Sequence, residues 1–492
     1  SHNLSVNCHR PRVQANLVVG KIIKPNKSFI ALTCCVFLSS GELALTMLFS
    51  AICKQDHDLK KKATTVIPNR IPFFTHGVES SNLTATAHSG HFISYIDVPW
   101  SATALVIGAG VSAPVFCYAI DRYGRKIGLF VVSMVQGASL IPLFLENDTN
   151  THILHILAGI AAGGLFTTIP IYIREISTHH GFSISLVAVM TTAGYLMRMV
   201  MGRELRMYLM VALIGIQFLS ILLLIESPSY LVKRKKFELA NANLSELKRL
   251  PENSPYVWRA LSNLRDESDR ATSHGKLSVR TLWRTKVWLD ATKIGISLYT
   301  VTILCGSILF LDQQKALLQL KISGDPENLL VLYSMLGGSV LCVILITFVD
   351  RKYILTLGYT IMTIAMGVLA VYTQVDLTVT SSKWVPILAL AALVLGYGIS
   401  WSLPMLVMVE IFNLEIRASL LGAVYTYSQI LKLFHIHTFN YLEDYLGVYT
   451  LFYIFAGINL FGVVYSLFEV PKIKDKSVRQ IEKQLKRTPL PA

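Results

Sequence analysis

Two groups of charged residues stand where long apolar runs end. Asp121, Arg122 and Arg125 fall in D-R-Y-G-R-K, and Asp350 and Arg351 open a shorter D-R-K, each on a connection too short to carry them far. Glu175 closes P-I-Y-I-R-E-I from Pro170, Glu410 closes P-M-L-V-M-V-E-I from Pro404, and Arg417 follows shortly after. Carboxylates and guanidinium groups placed this way make no bond-breaking chemistry. In a partly dehydrated layer they pair between helices, hold the helix ends together, and must separate before those ends can part. Asp121, Arg122, Arg125, Glu175, Glu410 and Arg417 are therefore expected to gate. The two D-R elements are 229 residues apart and the two glutamates 235, which is the mark of an internal duplication rather than of isolated membrane anchors.

The elements that position these groups are bilayer helices. Hydrophobic residues make up 53% of the 492-residue chain and charged residues only 15%, against roughly 25% in ordinary soluble domains. Subtracting 30 acidic from 45 basic side chains leaves +15, but the basic residues sit between apolar runs, so the excess is loop charge and not a nucleic-acid surface. Runs near the ~20 residues needed to cross a bilayer can be drawn at 29–53, 99–119, 127–145, 153–173, 183–202 and 207–225, then at 289–311, 328–349, 353–373, 384–411, 418–440 and 448–468. The chain then divides into a cytoplasmic N-terminal segment (1–28), a six-helix bundle (29–225), a cytoplasmic linker with short helices (226–288), a second six-helix bundle (289–468) and a cytoplasmic tail (469–492). The linker carries thirteen Lys and Arg between Glu226 and Lys286, and an even span count puts both termini on its side, cytoplasmic by the positive-inside rule. Lys60, Lys61 and Lys62 are the exception. The first run is too long for a signal-peptide core and is expected to be retained.

Glu42 falls midway along that first run, where a carboxylate costs about 2.5 to 3.5 kcal/mol on insertion scales, so it is expected to be protonated, paired or hydrated. The seven cysteines include no C-x-x-C, which leaves no zinc or disulfide framework to expect. The sequons at Asn82 and Asn147 lie in outer loops and are expected glycosylation sites, although Asn243 matches as well inside the linker. With no P-loop, H-E-x-x-H or G-x-S-x-G, and histidines without a third ligand at useful spacing, no enzyme, metal or cofactor is expected.

D-R-Y-G-R-K at Asp121, P-I-Y-I-R-E-I-S at Pro170, E-S-P-S-Y-L at Glu226, E-I-F-N-L-E-I-R at Glu410 and V-P-K-I-K-D-K-S at Val470 occur in an order that resembles the sugar porter family of the major facilitator superfamily. Animal facilitative glucose transporters and insect trehalose transporters belong to it. The resemblance covers nearly the whole chain. It implies an all-α membrane protein with the major facilitator fold, twelve helices in two pseudo-symmetric bundles. It also implies a central sugar site opened alternately to either side, in the plasma membrane.

Departures from the family pattern mark this copy. His180 stands where the family has an arginine after the fourth-span glutamate, the second D-R-x-G-R-R is shortened to Asp350, Arg351, Lys352, Tyr353, and Ser229 replaces the arginine of P-E-S-P-R, so the inner lock reads as eroded. Aligned from these anchors, Ala188, Thr302, Ile303, Gly338 and Met405 replace family residues that read sugar hydroxyls. Thr192, Thr302, Trp401, Ser428 and Gln429 remain as substrate-binding candidates, with Trp401 in the place of a lost stacking ring. Threonines in spans also bond back to their own helices. By the same anchoring His155 holds the position of an arginine that faces a first-span acid in proton-coupled relatives, which makes Glu42 and His155 a candidate proton-exchange pair. The expected function is facilitative movement of trehalose, a hexose or a polyol by alternating access. Two other readings stay open: a transporter-fold sensor or inactive scaffold, and a proton-coupled carrier of another small solute. The expected partners are a small sugar-like solute and the lipid bilayer, with no nucleic acid.

Overall fold

The structure is a computed structural model that describes residues 100–141, 148–177, 180–200, 203–273, 285–306, 325–374, 384–414, 416–474, 476 and 478–485. The first apolar run with Glu42, and the sequons at Asn82 and Asn147, lie outside the described residues. Each of the other runs contains helix among its described residues. In the first half these are α1 (Trp100–Tyr123), α2 (Arg125–Ser139), α3 (Asp148–Ile176), α4 (His180–Val200) and α5 (Arg203–Leu223). The linker folds as α6 (Pro228–Lys233), α7 (Phe237–Lys248) and α8 (Pro255–Ser273). The second half holds α9 (Lys286–Leu304), α10 (Asp325–Phe348), α11 (Arg351–Gln374), α12 (Trp384–Ser400), α13 (Leu403–Ile411), α14 (Arg417–Leu446) and α15 (Val448–Phe468), and α16 (Val478–Leu485) follows in the tail. No strand occurs among the described residues.

Six segments among the described residues, five of these helices and α12 with α13 taken together, are long and apolar enough to cross a membrane, and three shorter apolar stretches, His180–Gly194, Met207–Leu223 and Tyr333–Phe348, accompany them. Backbone groups in hydrocarbon have no water to bond, which is why such runs coil rather than extend. Their outward faces stay apolar: Val111, Leu223, Phe348, Ile364 and Phe468 are exposed, as suits contact with acyl chains and not with water.

Two seams join the halves, α1 against α14 and α4 against α10. Along the first, the Thr426 hydroxyl donates to the Gly110 carbonyl at 2.8 Å, and Thr103 Oγ1 lies 3.2 Å from His437 Nε2 near the end of α1 remote from its charged residues. Within the first half α3 packs on α1 through the small residues Gly159 and Gly163, where a Cβ would collide with the Leu105 carbonyl and the Ala109 carbonyl, so the backbones approach closely in the absence of a hydrophobic drive between helices. The linker has a core of its own around Leu231, Val232, Ala240, Leu244, Val257 and Leu261. Ser227 caps α6 by accepting the Tyr230 amide, and Pro228 occupies the first turn, where its missing N–H costs nothing.

Candidate functional site

The charged residues converge at one end of the bundle, in two copies of one arrangement. In the first half Arg125 Nε donates to Glu175 Oε2 and Nη2 to Oε1, both at 2.9 Å, with both side chains 1% exposed. In the second half Arg351 Nε donates to Glu410 Oε2 at 3.1 Å and Nη2 to Oε1 at 2.9 Å. Each is a bidentate fork that fills both carboxylate oxygens. Each glutamate also meets a residue of the opposite half on its Oε1. Arg417 Nη1 stands 3.7 Å from Glu175 Oε1, and His180 Nε2 stands 2.9 Å from Glu410 Oε1. Both links must break before these ends can separate.

The surroundings of the two forks differ. Arg125 also donates to Asp121 Oδ1 at 3.1 Å and to the Ile120 carbonyl, while its backbone amide donates to Glu226 Oε1 at 2.9 Å. Gly124 permits this turn: its φ is +117°, and a Cβ there would collide with the Glu226 carboxylate. Asp121 takes a second cation, Lys233 of the linker, at 3.2 Å, and Ser227 Oγ donates to Glu175 Oε2 at 2.5 Å. Arg417 is further held by Glu267 of α8 at 3.9 Å and donates to the Phe412 carbonyl. Burial, then Arg174, pull the Arg417 guanidinium down to about 10 while Glu267 and Glu175 oppose them, so it remains cationic near neutral pH. In the second half the Asp350 carboxylate accepts only the Ile473 amide, at 3.2 Å, among the described residues.

These contacts correct the reading of an eroded lock. The shortened D-R-K still delivers a guanidinium to its glutamate, and it is Arg351 that does the work of Arg125. Arg122 stands apart from the cluster, exposed, donating to the Tyr118 hydroxyl at 2.8 Å. His180 is in the lock, in contact with the second half's carboxylate.

Farther from the charged end, Phe166 of α3 lies between two rings of the other half. Its centroid is 6.2 Å from Tyr425, nearly parallel, and 6.4 Å from Trp401, edge-on. Trp401 Nε1 is buried with no hydrogen-bond partner among the described residues. Thr192, Thr302 and Ser428 are buried, and each hydroxyl bonds back to its own helix, at Val189, Leu298 and Tyr425 respectively. Thr302 also lies 3.2 Å from the Tyr359 hydroxyl. Gln429 is half-buried, packs against Gly110 of α1 and reaches Ser428 at 3.5 Å. His155 is buried, 1% exposed. The sequence reading did not single out Phe166, since one aromatic residue in an apolar run has no distinguishing pattern.

Residues 43–485 match the family described as sugar (and other) transporter. A glucose transporter of Staphylococcus epidermidis is 24% identical over 410 residues, covering 77% of this chain and 86% of its own length. A facilitated trehalose transporter of Bombyx mori is 24% identical over 407 residues, covering 79% of each. Human facilitated glucose transporter member 5 is 25% identical over 443 residues, 81% of this chain and 84% of that protein. Among solved structures, the proton:xylose symporter XylE bound to 6-bromo-6-deoxy-D-glucose superposes with a TM-score of 0.71 at 17% identity, covering 94% of this chain and all of the other. The inward-open conformation of XylE from E. coli gives 0.60. The fold is that of the major facilitator superfamily, the protein is a membrane transporter and not an enzyme, and the chain belongs to the sugar (and other) transporter family.

Proposed function

We propose that the chain moves a sugar through the bilayer by alternating access, as a facilitative carrier, with the charged end facing the cytoplasm. The observation that carries this reading is the paired lock: one buried Arg–Glu fork in each half, each touched by a residue of the opposite half. Residues 29–225 and 289–468 are the two bodies that rock, and 226–288 is the clamp between them, with Lys233 reaching Asp121 of one half and Glu267 reaching Arg417 of the other. Segments 1–28 and 469–492 lie on the cytoplasmic side, and the protein resides in the plasma membrane. Asp121, Arg125, Glu175, Glu410 and Arg417 gate, joined by Arg351 and His180.

The solute lies against the Phe166, Trp401 and Tyr425 rings, where the Trp401 N–H, without a partner among the described residues, supplies a donor that a sugar hydroxyl would satisfy. Gln429 adds an amide. The trehalose and glucose named for the relatives set the panel to try first. Purified protein in proteoliposomes should take up radiolabelled trehalose, glucose or a polyol down its gradient, saturably. Trp401→Ala should cut uptake by about tenfold, the loss expected from ~1.4 kcal/mol of stacking and hydrogen bonding. A silent panel at every concentration overturns sugar transport. If net movement follows an imposed pH gradient and Glu42→Gln abolishes that, the facilitative reading fails and the Glu42–His155 pair drives the solute.

A further inference from the structure

His180 is the one member of the lock whose charge can change near neutral pH, and its place in the cluster fixes what that change would do. It opens α4, with its side chain 23% exposed, and its Nε2 donates to Glu410 Oε1 at 2.9 Å. That oxygen already accepts Arg351 Nη2, also at 2.9 Å. The approach is close on the backbone side as well, for a Cβ on Gly181 would come within 2.6 Å of Arg351 Nη2. A neutral imidazole with its proton on Nε2 fits as a second donor. A protonated one places two cations around one oxygen of one carboxylate.

The neighbours add to that crowding. From α11 comes Arg351, and from α3 come Arg174 and Glu175, the latter filled by Arg125. From α13 comes Glu410 alone. Among the described residues the α10 face offers the Cys342 thiol near Ser185, and the Asp350 carboxylate is turned to the Ile473 amide. The N-terminal end of the α4 helix dipole also disfavours a positive charge at its first residue. In the other half the second cation, Arg417, has an additional acid of its own in Glu267. His180 has none. Burial first of all, with Arg174 and Arg351, outweighs the Glu410 contact and holds the imidazole below its ordinary value near 6.5.

We infer that His180 makes the lock proton-sensitive, so that acidification at the charged end releases the contact between the halves. The sign follows from linkage. Once the ends part, the imidazole is hydrated and regains its ordinary affinity for a proton, so protons favour the parted form. Closure is fully held above pH ~6.5 and is lost as pH falls below it.

The inference rests on the proposed transport cycle for its meaning, but its test needs no solute. Full-length protein in nanodiscs carries spin labels in place of the exposed Tyr123 and Tyr353, one at the charged end of each half. Distance distributions from about pH 8 to about pH 5 give the parted-to-closed ratio. It should rise with acid, by no more than about tenfold per pH unit, the limit for one proton. His180→Gln keeps a neutral donor and should flatten the response while matching the wild-type closed distance at about pH 8. His180→Asn carries the same expectation if the first variant fails to fold. A wild-type pH response in either variant, or acid that favours closure, overturns the inference. A silent uptake panel beside a pH-dependent equilibrium would sink the transport reading alone, and active transport with a pH-flat equilibrium would sink this one alone.

Discussion

The two halves build the same fork and finish it differently. Glu175 sits among Arg125, Arg417 and Ser227, the cations around it are shared with Asp121 and Glu267, and Glu226 accepts the Arg125 backbone amide. Glu410 has Arg351 and a histidine. The first-half lock is a network of permanent charges tied into the linker, and the second is a single ion pair with a neutral donor leaning on it. Removing one member of a buried pair strands the other, which costs about 3–5 kcal/mol, whereas a pair left whole contributes little beyond a hydrophobic substitute. The forks therefore act less as glue than as a condition: the ends stay together only while both partners are present and dry. Duplication supplied two such conditions, and the divergence of His180 from Arg417 made one of them open to protons.

The largest effect is expected from cutting the forks. Arg125→Ala and Arg351→Ala each strand a buried glutamate, and each should lower the closed-to-parted ratio by a hundredfold or more, the equivalent of about 3 kcal/mol. Arg125→Ala should be the worse, because Asp121 and the Ile120 carbonyl lose a donor as well. The pH responses should then separate the halves. In Arg351→Ala, His180 becomes the only counter-charge for Glu410, so acid should restore closure, the reverse of the wild-type sign. In Arg125→Ala, Arg417 is already charged and acid should restore nothing. Label distances across pH in the two variants decide this, and identical responses would remove the distinction between the halves.

Arg417→Gln comes next. The 3.7 and 3.9 Å contacts with Glu175 and Glu267 are longer than hydrogen bonds, but the guanidinium is buried and also donates to the Phe412 carbonyl. A loss of about 1–3 kcal/mol in closure is expected, read by the same distances. Smaller still is the contrast between the aspartates. Asp121→Asn loosens Arg125 and Lys233 together and should cost about 0.5–1 kcal/mol. Asp350→Asn still offers an oxygen to the Ile473 amide and should be silent within error.

The helices were legible in the sequence because bilayer spans write themselves as uninterrupted apolar runs, and each run from the second through the twelfth contains helix among its described residues. The lock was legible by type and not by register. Matching D-R to D-R pairs Arg122 with Arg351, yet the arginine that reaches the first glutamate is Arg125. Which arginine arrives depends on the path of the chain between helices. In the first half that path passes through the positive φ of Gly124, and in the second it runs from Asp350 directly into α11. His180 was visible as a departure from the family pattern. Its contact was not, since Glu410 lies 230 residues away and on the other half. The aromatic stack was invisible for the same reason: Phe166 gains meaning only from Trp401 and Tyr425 across the seam.

The smallest expected effect again divides the halves, now at the proposed solute site. Thr192 has Val189 of its own helix as hydrogen-bond acceptor, a contact that a solute would have to break to use the hydroxyl. Thr192→Val removes a side-chain bond that gives little net stability and leaves packing volume nearly intact, so uptake should stay within about twofold of wild type, under ~0.5 kcal/mol. Thr302 bonds back to Leu298 in the same way but also faces the buried Tyr359 hydroxyl at 3.2 Å. Thr302→Val would leave that phenol without its neighbour in a dry interior, at a cost of about 1 kcal/mol or more. Its signature should be a lower thermal midpoint alongside a several-fold loss of uptake. Equal effects on KM from both valines would instead mean that both hydroxyls turn from their helices to the sugar, and that the two halves contribute alike to recognition.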